Sequence, residues 1–182
     1  MAGDDEFIRD LQRGDAKAYE VLVRRFETPL YRYFLASHGD PQLAGEQSAD
    51  CFGDLVDSLP KMAGGADQLR PFVFAVAKNV LRRQWRRQGR ETNSADFETA
   101  VFDDCPTPDL SMEASEESAR LIAAVRSLDP STRDVFLLRF VEQMSVIEVA
   151  AAVGEPVGTV KSRLHRGRKR LLEQLRSTTR LP

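Results

Sequence analysis

The sequence predicts an all-α chain: two small helical domains joined by an acidic flexible linker, the C-terminal one a helix-turn-helix. Three observations carry this. Apolar residues recur at spacings of three and four through both flanks, and β-branched alternation is nowhere sustained. Charge is segmented, with residues 1–90 at net +1, 91–118 at −9 and 119–182 at +6. The C-terminal flank holds a capped short helix, a glycine stop and a basic second helix. The expected organisation is a domain over 1–90, a linker over 91–113 and a domain over 114–182. The linker reading rests on its acids, its Ser and Thr, and the two prolines of CPTP, which interrupt any helix.

In the first domain, Asp15 caps a helix expected to bury Ala18, Leu22, Phe26, Leu30 and Phe34, with Pro29 inside it. Asp40-Pro41 reads as a cap followed by proline at the first helical position. That helix is expected to bury Leu43, Phe52, Leu55, Val56 and Leu59. After the Gly64-Gly65 break, Leu69, Phe72, Val73, Val76, Ala77 and Val80 mark the buried stripe of a third helix. Its second half is basic. Lys78, Arg82, Arg86 and Arg90 form an i+4 stripe, and residues 68–90 hold no acid. One or two cations suit a helix C-terminus. Seven from Arg70 to Arg90, without a counter-charge, point to a polyanion partner. Trp85 reads as a core residue or as a stacking platform.

In the second domain, Leu121, Ile122 and Val125 mark a helix over 116–127. Asp129-Pro130 starts another, expected to bury Val135, Phe136, Leu138 and Phe140. Ser145 and Glu148 then form a capping box before Val146, Val149, Ala150 and Val153. Gly154 ends that helix as a left-handed cap, and Pro156 suits the start of the next. The last helix buries Val160, Leu164, Leu171 and Leu175, with Gly167 facing inward. Its outer face carries Lys161, Ser162, His165, Arg166 and Lys169, and six of the ten residues from Lys161 to Arg170 are cationic. A basic helix behind a tight glycine turn is the arrangement that reads DNA. Arg and Lys can pair with guanine edges, and Ser and His reach other edges or phosphate. Gly158 and Thr159 open the helix, where backbone N–H groups can meet a phosphate, and Arg163 and Lys169 add backbone contacts.

Composition excludes other classes. The chain has 182 residues, a net charge of −2 and 42% hydrophobic residues, enough for a core. Its longest clean apolar run, Phe72–Ala77, is far short of the roughly 18 residues of a membrane span. The opening MAGDDEF is acidic, unlike a secretory leader. Two Cys and two His make no zinc finger, and Cys51 and Cys105 read as reduced thiols. The common nucleotide-binding, hydrolase and zinc-protease signatures are absent. No catalysis, cofactor or metal is expected.

The stretch SLDPSTRDVFLLRFVEQMSVIEVAAAVGEPVGTVKSRLHRGRKRLLEQL resembles domain 4 of bacterial RNA polymerase sigma factors of the extracytoplasmic-function (ECF) group. GDAKAYEVLVRRFETPLYRY, AGEQSADCF and RPFVFAVAKNVLRRQWRR are similar to the opening helices, the core-binding segment and the promoter-melting helix of domain 2. The likeness spans about residues 7–176. It implies a promoter-specificity subunit that binds core RNA polymerase through the clamp coiled coil and the flap. Glu46 and Asp50 fall on the clamp-binding segment, where this chain has Gln47 and Ala49 in place of a usual Leu and Gln. Lys161, Ser162, His165 and Arg166 fall on the −35-reading face. Lys61 and Met62 lie in the loop before the melting helix, which in such proteins captures a flipped −10 base. Phe74, Lys78, Asn79, Arg82, Arg83 and Arg86 fall on the −10 recognition and melting helix, with Arg83 where an Asp is common. Phe72 fits the core stripe, which leaves Phe74 as the aromatic expected to meet unstacked bases. The resemblance also implies a cytoplasmic protein with an anti-sigma partner that can hold it at the membrane.

Two promoter elements lie about two helical turns apart, on the order of 60–70 Å. A linker of this length reaches roughly 75–95 Å extended and about 25–30 Å as a relaxed coil. It can bridge the elements only when held extended. In the free protein the acidic segment is expected to fold back on the basic helices. The alternative to a sigma factor is a helix-turn-helix regulator that binds DNA without polymerase.

Overall fold

The computed structural model describes residues 2–87 and 122–178, and the described residues hold helices without strands. The linker over 91–113, Cys105, the boundary at 114 and the fold-back of the acidic segment all lie outside them. Four helices make the first unit: α1 (Ala2–Arg13), α2 (Ala16–His38), α3 (Pro41–Ser58) and α4 (Ala66–Arg87), with a 3-10 turn at Leu59–Lys61. The second holds a helical stretch over 122–126, α5 (Pro130–Phe136), a π turn at Leu137–Val141, α6 (Val146–Val153) and α7 (Val157–Thr178).

The caps stand where the sequence puts them. Asp15, Asp40 and Asp129 each accept a backbone N–H of the first turn of α2, α3 and α5. Gly39 stops α2 with φ +87° and Gly154 stops α6 with φ +70°, both in the left-handed region. α1 was not among the expected elements. Its Ile8 and Leu11 are buried, and Gln12 Nε2 donates to the Met62 carbonyl at 2.9 Å.

Three buried faces differ from expectation. On α3, Val56 is exposed and Leu43 and Phe52 are half-buried, while Ala44, Gln47, Ser48, Cys51 and Leu55 turn inward. The inward residues are mostly small, which lets α2 and α3 approach closely. On α4, Phe74 is fully buried and Phe72 half-exposed, the reverse of the one-stripe reading. The reason is that α4 has two covered faces: it packs on α3 and, from the other half of the chain, on α6. After α5, the π turn adds a residue to the helical repeat and rotates Phe140 outward, to 62% exposure.

Candidate nucleic-acid interface

The helix-turn-helix is built by local chemistry. Ser145 Oγ accepts the Glu148 N–H at 3.2 Å, and the Glu148 carboxylate accepts the Ser145 N–H at 2.7 Å. That backbone donor holds the Glu148 carboxyl below its ordinary value. The Gly154 N–H returns to the Ala150 carbonyl, and Thr159 and Val160 donate to the Pro156 carbonyl at the start of α7.

α7 is then fixed in rotation by what it buries. Val160, Gly167 and Leu171 face inward and Leu164 is half-buried, while Leu175 lies outside the described side chains. A Cβ on Gly167 would fall 2.4 Å from Phe136 Cε2 and 2.7 Å from Thr132 Cγ2, so glycine is what lets α5 cross there. The opposite face is open: Lys161, Ser162, His165, Arg166 and Lys169 are all exposed. Gly158 is exposed and Thr159 half-buried at the helix start. Arg163 has a partner within the protein, Glu155 at 2.9 Å, which ties α7 to the turn before it.

α4 divides along its length and around its axis. Asn79, Arg82 and Arg86 share an exposed face. Arg83 reaches Asp54 of α3 at 2.6 Å, so the cation that replaces a common Asp ties α3 to α4. Lys78 is half-buried and donates to the Val153 carbonyl at the end of α6, and burial lowers the pKa of its amine. Phe74 does not meet solvent: its ring packs edge-on against Tyr33, centroids 5.7 Å apart at 76°. Trp85 is half-buried under the Arg133 guanidinium, 5.7 Å from its ring centroid. In the loop before α4, Lys61 is exposed but Met62 is buried at 5% exposure, packed into the core beside α1. Its side chain fills the space under that loop instead of offering a surface.

On α3, Glu46 and Asp50 stand one turn apart on an exposed face with Ala49, and Glu46 accepts from Gln42 Nε2 at 3.0 Å. Gln47 is not part of that face. It is buried and its Oε1 pairs with His38 Nε2 at 3.0 Å. Cys51 is fully buried, and burial pushes its thiol up to about 12, which leaves it unreactive. Among the described residues no group of three or more His, Cys, Asp or Glu is placed to hold a metal, and no helix is long and apolar enough to cross a membrane.

Residues 118–171 match the family described as sigma-70, region 4. The RNA polymerase sigma-E factor of Streptomyces avermitilis is 40% identical over 172 residues, which is 92% of this chain and 90% of that protein. The ECF RNA polymerase sigma factor SigE of Mycolicibacterium smegmatis is 29% identical over 87% of this chain, which spans 62% of that relative's length. Among solved structures, the sigma factor RpoE in complex with the anti-sigma factor NepR from Bartonella quintana shares the fold. Its TM-score is 0.69 at 21% identity, over 88% of this chain and 98% of that one.

Proposed function

Because the chain belongs to the ECF group of RNA polymerase sigma factors, we propose that it brings core polymerase to −10 and −35 promoter elements and helps open the DNA. The observation that carries this is the open face of α7. Lys161, Ser162, His165 and Arg166 project from the second helix of an intact helix-turn-helix, with no acid among them. Lys169 and the N-terminal residues Gly158 and Thr159 would set that helix on the phosphates. Asn79, Arg82 and Arg86 give α4 a second basic face, suited to the −10 region, with Lys61 beside it. Glu46 and Asp50 form the acidic face that would dock on the clamp coiled coil, and the C-terminal unit would meet the flap.

The proposal includes no chemical step in the protein: promoter choice and melting need binding energy alone. A separate anti-sigma partner belongs to it, supported by the shared fold with a sigma factor held in such a complex. Work on polymerase and DNA places the protein in the bacterial cytoplasm, with the anti-sigma partner able to hold it at the membrane.

The test is binding of labelled protein to core polymerase and to promoter duplex, separately and together, at about 0.15 M salt, a concentration that suppresses weak phosphate contacts. Tight binding to core, weak binding to duplex alone and opening only with both supports the proposal. Specific duplex binding without core, and none to core, makes the protein a stand-alone regulator instead.

A further inference from the structure

α1 has no counterpart among the expected elements, and what it backs is the loop before α4. It packs on the 3-10 turn at Leu59–Lys61 and on α4. Asp5, Ile8 and Gln12 stand at i, i+3 and i+7, on one face of α1. Ile8 is buried. Gln12 Nε2 donates to the Met62 carbonyl at 2.9 Å, across 50 positions of sequence. Asp5 lies at the other end of the loop: a Cβ on Gly65 would fall 3.6 Å from its Oδ1. From Asp5 to Gln12 is about 10.5 Å along a helix. The three residue steps from Met62 to Gly65 reach about 10–11 Å when extended. α1 therefore backs the loop from one end to the other.

The loop is held at both ends and open between them. At Met62 both backbone groups are used: its N–H donates to the Leu59 carbonyl at 3.0 Å, and its own carbonyl accepts from Gln12. Its side chain is sunk in the core. At Gly65 the carbonyl accepts the Gln68 N–H at 3.0 Å, in the first turn of α4. Between these points Ala63 and Gly64 are exposed, as is Lys61 before them. Gly64 turns the chain at φ +97°, where a side chain would be strained. The Leu59 and Gln68 bonds are local and only close turns. The Gln12 amide comes from another helix, so it fixes where the exposed stretch stands relative to the body of the unit. That bond is partly buried, so water does not simply replace a lost donor.

A loop that takes an unstacked base must offset the cost of unstacking, and it does so best when its shape is set beforehand. We propose that Gln12 is a positioning residue for base preference in the loop before α4. Its amide holds the Met62 carbonyl, so that Lys61, Ala63 and Gly64 meet an unstacked base as a fixed surface. Without that hold the loop still binds through charge but adapts to any base. The inference rests on reading this loop and α4 as the −10 site, and its test separates the two.

The full chain is loaded on core polymerase and offered single-stranded DNA with a short randomised segment, and the bound fraction is sequenced. Wild type should enrich one base at one or two positions. Gln12→Leu, similar in size and without a donor, should cut that enrichment about tenfold while total binding and core binding change little. Gln12→Glu accepts but does not donate, and should behave like Gln12→Leu. Gln12→Lys brings a donor back over a similar reach and should restore the preference. A merely structural role would sort these variants by stability in urea instead of by donor. Should Gln12→Leu fail to fold by circular dichroism, Gln12→Asn is read in its place: it keeps the amide one methylene short and should lose part of the enrichment at the same positions. A wild type that enriches no base, or a folded Gln12→Leu or Gln12→Asn with the wild-type pattern, overturns the inference. Ala63→Glu tests the reading beneath it, since it puts a carboxylate on the exposed loop and should weaken all single-strand binding. If Ala63→Glu binds as wild type does, the loop does not meet DNA, and the reading of the loop falls together with the inference. If Ala63→Glu weakens binding while Gln12→Leu keeps its preference, the reading stands and Gln12 loses its role.

Discussion

The Tyr33 hydroxyl donates to Asp134 Oδ1 at 3.1 Å, and both residues are buried where the first half of the chain meets the second. Burial pushes the Asp134 carboxyl up to about 6, although the Tyr33 donor and Lys78, Arg133 and Arg82 all favour its ionised form. Tyr33 is raised in turn, chiefly by burial and then by the neighbouring carboxylate. An Asp released to water titrates near 3.8. The folded chain therefore takes up a proton as pH falls through about 6 and gains on the unfolded chain down to about 4. The gain is of the order of 3 kcal/mol. Glu142, facing Arg32 and Arg70, is raised by burial and acts in the same direction. His38, lowered by burial beside Gln47, acts oppositely below 6.5. Asp134→Asn mimics the protonated group. It should unfold at higher urea than wild type at pH 7.5, with the difference shrinking towards pH 5; a constant difference would remove Asp134 as the titrating group.

Gly167→Ala tests how closely α7 crosses α5. The added methyl would overlap Phe136 and Thr132, neither of which is the free end of a flexible chain. Overpacking of this kind costs about 1–3 kcal/mol, and the better helix propensity of Ala returns about 1. The variant should melt several degrees lower, by circular dichroism, and lose promoter binding in proportion. A variant as stable as wild type would mean that α5 shifts freely.

The helix-turn-helix was legible because each of its signals is local. Ser145 with Glu148 and the left-handed Gly154 act within a turn of where they stand, and Gly167 continues the inward stripe of Val160, Leu164 and Leu171 on its own helix. The same holds for the caps at Asp15 and Asp40. Phe74 and Phe72 were exchanged because apolar period assigns one buried face to a helix, and the cover on α4's second face comes from residues more than 70 positions away. The inward turn of Gln47 was not legible, because a polar side chain gives no sign of its partner, here His38. Phe140 went outward because a π turn shifts the repeat, and nothing in LLRFV announces one. The residues of α7's outer face were legible as a set. That Arg163 would be engaged by Glu155 was not, since the pair closes across the turn.

Ser145→Ala should remove one cap bond and leave the Glu148 N–H without its acceptor. The expected loss is about 1 kcal/mol. Glu148 sits below its ordinary value, so its share of stability is present above about 4.5 and fades as pH falls through its lowered value. Urea unfolding at pH 7 should show the full loss. The difference between Ser145→Ala and wild type should narrow in acid; a difference that holds constant would separate Glu148 from the cap.

The basic residues of α7 should divide by their neighbours when each is tested as polymerase holoenzyme on promoter DNA across a salt series. Lys169 is exposed and offers only charge. Lys169→Ala should weaken binding evenly across sequences and lower the salt slope by about 1. Lys161 is exposed near the helix start, on the side proposed to face the bases. Lys161→Ala should cost about 1–3 kcal/mol at one −35 position and relax the preference there. Arg163 is held by Glu155 at 2.9 Å. Arg163→Ala should lower the melting temperature while the salt slope stays as in wild type, because its charge is already spent within the turn. A full drop of about 1 in that slope would show that Arg163 leaves Glu155 for a phosphate. The ion pair would then be a property of the free chain and not of the bound one.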